Sequence, residues 1–104
     1  MVSFNQLFGE FIGTYIFMFV ILHSGIISNL TPAIQPFIIV AGLLVAILMF
    51  GSLTGGHFNP AVSIMLYAKG GDKNVGTIVG LLVFICAQIV GALVAQFSHK
   101  HLYP

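Results

Sequence analysis

One stretch of the chain combines residue types whose chemistry depends on their order: Gly55-Gly56-His57-Phe58-Asn59-Pro60-Ala61. Asparagine is a strong helix N-cap and proline is favoured at the first helical position, so Asn59 and Pro60 together mark a helix start. A helix N-terminus carries about half an elementary positive charge. The Asn59 amide can cap that helix and still present an NH2 donor to a passing oxygen, which orients water while the positive end repels cations. Upstream, Gly55 and Gly56 permit an extended backbone whose carbonyls, with that of His57, would make a ladder of acceptors replacing hydration. Such a ladder suits a neutral, hydrogen-bonding solute.

The other polar residues are few. The full charges are Glu10, Lys69, Asp72, Lys73 and Lys100, and there is no arginine. Glu10 stands in an apolar run, where an ionisable group is costly and usually pairs inside a bundle. It has no basic partner or acidic chain that would make it a proton relay. His57 has a reference pKa near 6.5 and could gate by protonation, but a histidine in a buried loop is more commonly a fixed hydrogen-bond partner. His23, His99 and His101 fall at span ends and are expected in solvated tails; two nearby imidazoles without further ligands are no metal site. Cys86 is the only cysteine, so no intrachain disulfide forms. No nucleophile with its base, no carboxylate pair and no metal constellation is present, so neither an enzyme nor a cofactor is expected.

Of the 104 residues, 59% are hydrophobic and 5% charged, with a mean hydropathy of +1.12. A soluble domain carries about 25% charged residues, so this chain belongs in the lipid bilayer as a multi-pass protein. Nucleic-acid binding is excluded for practical purposes. The first residues, Met1 to Gln6, lack Lys and Arg, so the first apolar run is expected to remain as a signal anchor.

A hydrocarbon core roughly 30 Å thick needs about 20 apolar residues per helix. Three runs qualify, from about Phe4 to Ile27, Pro36 to Leu53 and Val75 to Phe97. Ser28-Asn29-Leu30-Thr31-Pro32 is a turn-forming loop between the first two. Its Asn29-Leu30-Thr31 matches the glycosylation pattern, although the proline after it lowers acceptance. Residues from about Thr54 to Lys69 are too glycine-rich at first and too short afterwards to cross. A helix from Pro60 at ~1.5 Å per residue reaches only about half-way through the membrane. Irregular backbone at that depth is tolerated only where protein buries it or a watery cavity lines it. The fold expected is therefore all-α, three transmembrane helices plus one re-entrant half helix. Gly9 with Gly13, Gly76 with Gly80, and Ala87 with Gly91 and Ala95 are spaced by four, the small-residue pattern that lets membrane helices approach closely.

Thr54-Gly55-Gly56-His57-Phe58-Asn59-Pro60-Ala61-Val62-Ser63 resembles the first signature loop of the aquaporin and glycerol-facilitator family, with its Asn-Pro-Ala box. Gly9-Glu10-Phe11-Ile12-Gly13-Thr14 and Ala87-Gln88-Ile89-Val90-Gly91-Ala92 fall where that family places its other matching segments. The resemblance covers essentially the whole chain as one repeat of a family whose usual pore has two, related by inversion. It implies a passive pore for water or a small neutral solute, with Glu10 accepting hydrogen bonds from the re-entrant loop backbone and Gln88 holding that loop inside the bundle. It also implies a narrow filter that includes an aromatic on the second span. Counting back from the box puts that position at Ile39, which is not aromatic, and the family's filter arginine has no counterpart here. A pore wide enough for glycerol or urea is as compatible as a strict water pore.

Three crossings leave the end of the repeat on the opposite side from its start, so a following copy would enter inverted. One copy encloses no lumen. The expected assembly is a homo-oligomer built on an antiparallel pair, and by extension from the family a tetramer of such pores. With the N-terminus inside, Lys69 and Lys73 lie inside and Lys100 outside, a weak bias toward that orientation. The alternatives are an N-terminal fragment of a longer channel and a non-conducting subunit that modulates other membrane proteins.

Overall fold

The structure is a computed structural model that describes residues 2–29 and 31–104. Met1 and Leu30, the latter within the expected inter-span loop and the glycosylation pattern, lie outside the described residues. Four α-helices follow one another: α1 (Phe4–Ser28), α2 (Gln35–Thr54), α3 (Pro60–Lys69) and α4 (Ile78–Leu102), with a short 3-10 turn, Pro32–Ile34, leading into α2. Local chemistry sets the ends. Ser3 and Gln6 form a reciprocal capping box at the start of α1, Ser3 N–H donating to Gln6 Oε1 at 2.8 Å and Gln6 N–H to Ser3 Oγ at 3.2 Å. Pro36 sits in the first turn of α2, where its missing N–H costs no helix bond. That helix stops at Gly55, whose φ of 91° is the left-handed cap that glycine adopts without strain.

α4 is displaced toward the C-terminus from the expected Val75–Phe97. The Asp72 carboxylate accepts the backbone N–H of Asn74 and of Val75, both at 2.8 Å, folding those residues into a turn. Thr77 then caps the helix, its Oγ1 accepting Gly80 N–H at 3.0 Å. At the other end the helix continues through His99, Lys100 and His101, where the Lys100 charge suits a helix C-terminus. Two expectations need correction here. Gly76 lies ahead of the cap and shares no helix face with Gly80. His23 and His99 are not in solvated tails, since their rings stack into an aromatic cluster with Phe19 and Tyr103, centroids 4.8 to 6.4 Å apart.

Three helices are long and apolar enough to cross a membrane, whereas α3, with ten residues, reaches only about 15 Å. α1 packs between α2 and α4, α3 packs on α4, and α2 and α4 make no contact among the described residues. The buried apolar set is small, with Phe58, Val75, Leu81 and Phe84 as its larger members, while Phe37, Val40 and Leu48 on α2 are largely exposed. Buried positions are instead occupied by polar groups and glycines, as expected where lipid solvates the apolar side chains. Glycine is required where backbones or rings come close. A Cβ on Gly91 would lie 2.6 Å from the Phe11 carbonyl oxygen, one on Gly9 would lie 2.8 Å from the Thr54 methyl, and one on Gly13 would overlap the Phe58 ring. Gly42 plays the same part against Val20, at 2.7 Å, with the buried Ala46 four positions on.

Candidate functional site

The loop from Gly55 to Asn59 joins the end of α2 to the start of α3 through left-handed backbone, not the extended backbone expected at Gly55 and Gly56. Gly55 and Gly56 take φ of 91° and 68°, and Phe58 takes 51°, the only non-glycine residue with positive φ among those described. That conformation costs a non-glycine residue on the order of 1–3 kcal/mol and persists only where surroundings over-determine it. Phe58 is over-determined twice. Its ring is fully buried against Gly13, and its backbone N–H donates to Glu10 Oε1.

Glu10 is fully buried, and the same Oε1 accepts Gln88 Nε2–H at 2.9 Å. Gln88 Nε2 also donates to Ser63 Oγ at 2.8 Å, so it holds the Glu10 and Ser63 side chains and reaches the loop backbone only through Glu10. His57 continues the chain, with Nδ1 2.8 Å from Ser63 Oγ and Nε2 2.9 Å from Asp72 Oδ2. With the imidazole neutral, one proton arrangement fits these distances. A carboxylate only accepts, so Nε2 carries the imidazole proton, Nδ1 accepts the Ser63 hydroxyl proton, and Ser63 Oγ accepts from Gln88. The His57 ring is further held edge-on by Phe84, with centroids 5.0 Å apart. Behind it, Asn74 Nδ2 donates to Thr54 O at 2.7 Å, and Gly56 N–H donates to Thr54 Oγ1 at 3.0 Å. Burial alone would raise the Asp72 pKa, but N–H donation from Val75 and Asn74 and the His57 ring outweigh it and hold the carboxyl below its ordinary value.

The network anchors a helix start that faces outward. Asn59 takes the extended N-cap conformation, and its Oδ1 accepts Ala61 N–H at 2.8 Å. Asn59 and Ala61 are exposed, Pro60 is partly exposed, and Ser63 one turn on is buried. With Oδ1 committed to the cap, Nδ2 donates to no group among the described residues, so its N–H bonds point to whatever covers this face. Gly55 is exposed, Gly56 half-buried and His57 buried. Ile39 is not brought to the box. It lies about four turns back along α2, roughly 22 Å from Thr54, and takes no part in the network.

Thr54, Phe58 and Ser63 stand within the quoted loop motif and Asp72 among the charges, but sequence reasoning gives none of them, nor Asn74, a role of its own. An aspartate after Gly70-Gly71 carries the ordinary signal of a turn that bonds N–H groups two and three residues on. Its partnership with His57, across 15 positions, carries no local signal.

The sequence profile described as Major intrinsic protein matches residues 1–103. The chain belongs to the major intrinsic protein family. Its curated relatives include a glycerol uptake facilitator protein of Streptococcus pneumoniae, 34% identical over 102 residues that make up 88% of this chain and 41% of the relative. A probable aquaporin TIP-type of Medicago truncatula is 38% identical, over 84% of this chain and 37% of its own length. Mouse aquaporin-8 is 34% identical, over 91% and 36% respectively. The chain thus spans about two fifths or less of the length of these relatives. No solved structure matches it significantly. Membership in this family together with three membrane-length apolar helices makes it an integral, multi-pass membrane protein.

Proposed function

We propose that this member of the family forms one half of a passive transmembrane channel for water or small neutral solutes of the glycerol type. The observation that carries the reading is the Asn59 start of α3, exposed on one side and clamped from behind by Glu10, Gln88, Ser63, His57 and Asp72. A rigid backing with an outward donor is what a polar pore wall needs, because a donor that relaxed inward would cease to replace hydration. Asn59, Pro60 and Ala61 supply the wall at mid-membrane, and the carbonyls of Gly55, Gly56 and His57 supply the acceptors leading to it. Ile39 stands at the filter position on α2, toward the other membrane face. A pore built only of copies of this repeat has no arginine at its constriction, so glycerol or urea passes as well as water. The names of the relatives include both a glycerol facilitator and aquaporins.

The lumen is closed by a second repeat inserted in the opposite orientation, set against the open side between α2 and α4. A second copy of this chain is the simplest source, and four such pairs would give a tetramer of pores. A second reading, favoured by the greater length of the relatives, has this repeat working joined to another on one polypeptide. Osmotic shrinkage of proteoliposomes in sucrose, followed by swelling in glycerol and in urea, tests the proposal. Accelerated exchange of water and glycerol over empty vesicles is expected. Exchange equal to empty vesicles, from protein shown to be inserted, overturns the self-sufficient channel and leaves the joined repeat or a modulatory subunit.

A further inference from the structure

The seam between α1 and α4 has a second side. Phe8 and Cys86 each lie two positions from Glu10 and Gln88, about 200° around their helices, so they face away from the re-entrant loop. Here Phe4, Phe8 and Phe11 of α1 stand across from Cys86, Ala87 and Val90 of α4 around an apolar groove of about 450 Å³. A second groove of about 620 Å³ continues it toward the helix starts, walled by Val2, Lys73, Asn74, Thr77 and Val79. Leu7 and Val83 line both, so the two are one trough, apolar along its length and polar at one end.

The polar end is built for an anion attached to something apolar. Lys73 is exposed and has no carboxylate partner among the described residues. The first N–H groups of α4, at Ile78 and Val79, lack intrahelical acceptors and stand at the positive end of a helix of 25 residues. Asn74 is 3% exposed, and its buried Oδ1 has no hydrogen-bond partner among the described residues. From Val79 to Val90 the trough runs roughly 17 Å along α4, close to the ~15 Å depth of one leaflet. In a copy inserted with its N-terminus inside, the orientation that the lysine asymmetry weakly favours, this end lies on the cytoplasmic side, where anionic lipids are enriched.

We propose that this trough is a binding site for an anionic phospholipid. The phosphate lies at Lys73 and the first turn of α4, beside Asn74 and Thr77, and one acyl chain lies along Phe4, Phe8 and Phe11. The inference stands on the outer seam alone and does not require that the chain conduct.

The chain contains no tryptophan, so Phe8→Trp places a single reporter in the trough and Phe37→Trp, on the exposed face of α2, serves as control. Each full-length variant is reconstituted in phosphatidylcholine with increasing fractions of phosphatidylglycerol, one of the two lipids carrying brominated acyl chains. Brominated phosphatidylglycerol should quench the Phe8→Trp reporter at a mole fraction roughly five-fold below that of brominated phosphatidylcholine, the gain that about one lysine provides at an anionic surface. The Phe37→Trp reporter should not distinguish the two lipids. Adding Lys73→Gln to the Phe8→Trp variant should abolish the preference, and millimolar inorganic phosphate should not compete with it. Equal quenching by both lipids overturns the site. Displacement by free phosphate also overturns it, by reducing the trough to an anion site without an acyl chain.

Discussion

Glu10 and Gln88 stand 78 residues apart in the chain and 2.9 Å apart in the fold. Through one carboxylate oxygen this pair ties α1 and α4 to the backbone of the re-entrant loop at Phe58. A short loop at membrane depth needs such an anchor, because its unpaired N–H groups have no bulk water to turn to.

Removing that anchor should be expensive. Glu10→Ala leaves the Phe58 N–H and a Gln88 N–H buried without acceptors, and should destabilise the fold by about 3–5 kcal/mol, as breaking a buried charged network does. Glu10→Gln keeps one acceptor oxygen and should cost about 1–3 kcal/mol. Unfolding in mixed detergent micelles, followed by circular dichroism, measures both. Equal stability of Glu10→Ala and the parent chain would contradict the anchoring role.

The glycines separate by environment. Gly13→Ala drives a methyl into the Phe58 ring and should cost about 1–3 kcal/mol by overpacking. Gly25 has open space where its Cβ would stand, so Gly25→Ala should be neutral or stabilise by ~0.4–1 kcal/mol. The same unfolding assay compares them, and an inverted order would sink the packing assignment.

Asp72 gives the turn ahead of α4 an acid limit. Its folded pKa lies below the ordinary 3.8, so the stability it adds is fully present above 3.8 and is lost as pH falls through the lower folded value. Amide exchange at Asn74 and Val75 should therefore show pH-independent protection from neutrality to about pH 4, with loss of protection below it. Asp72→Asn should reduce protection at neutral pH and remove the acid step. An unchanged exchange profile in that variant would refute the capping role.

Much of this was legible in the sequence because membrane physics leaves few options. Runs of about 20 apolar residues can only be helices, and Asn59-Pro60 announces the start of α3 locally. Glu10 stood out because a lone charge in an apolar run requires a partner. What stayed hidden depended on three-dimensional proximity. No periodicity joins His57 to Ser63 and Asp72, and nothing local requires Phe58 to adopt positive φ; its burial against Gly13 does. The start of α4 was misplaced because Val75 and Gly76 are apolar enough to pass for helix. The Asp72 carboxylate, bonding the two amides that follow it, instead makes them a turn.

The exposed Nδ2 of Asn59 is the atom on which the functional account rests, and Asn59→Asp tests it with little change to the fold. An aspartate caps the helix as well as asparagine does, but it removes the NH2 donor and places an anion at mid-membrane. Stopped-flow light scattering on proteoliposomes of the two proteins, at matched insertion, measures water permeability and its activation energy. The account predicts fast shrinkage with a low activation energy for the parent chain and a fall of about ten-fold or more for Asn59→Asp, with thermal stability retained. Identical permeability in the two proteins, above that of empty vesicles, would place the water path somewhere other than the Asn59-Pro60-Ala61 wall.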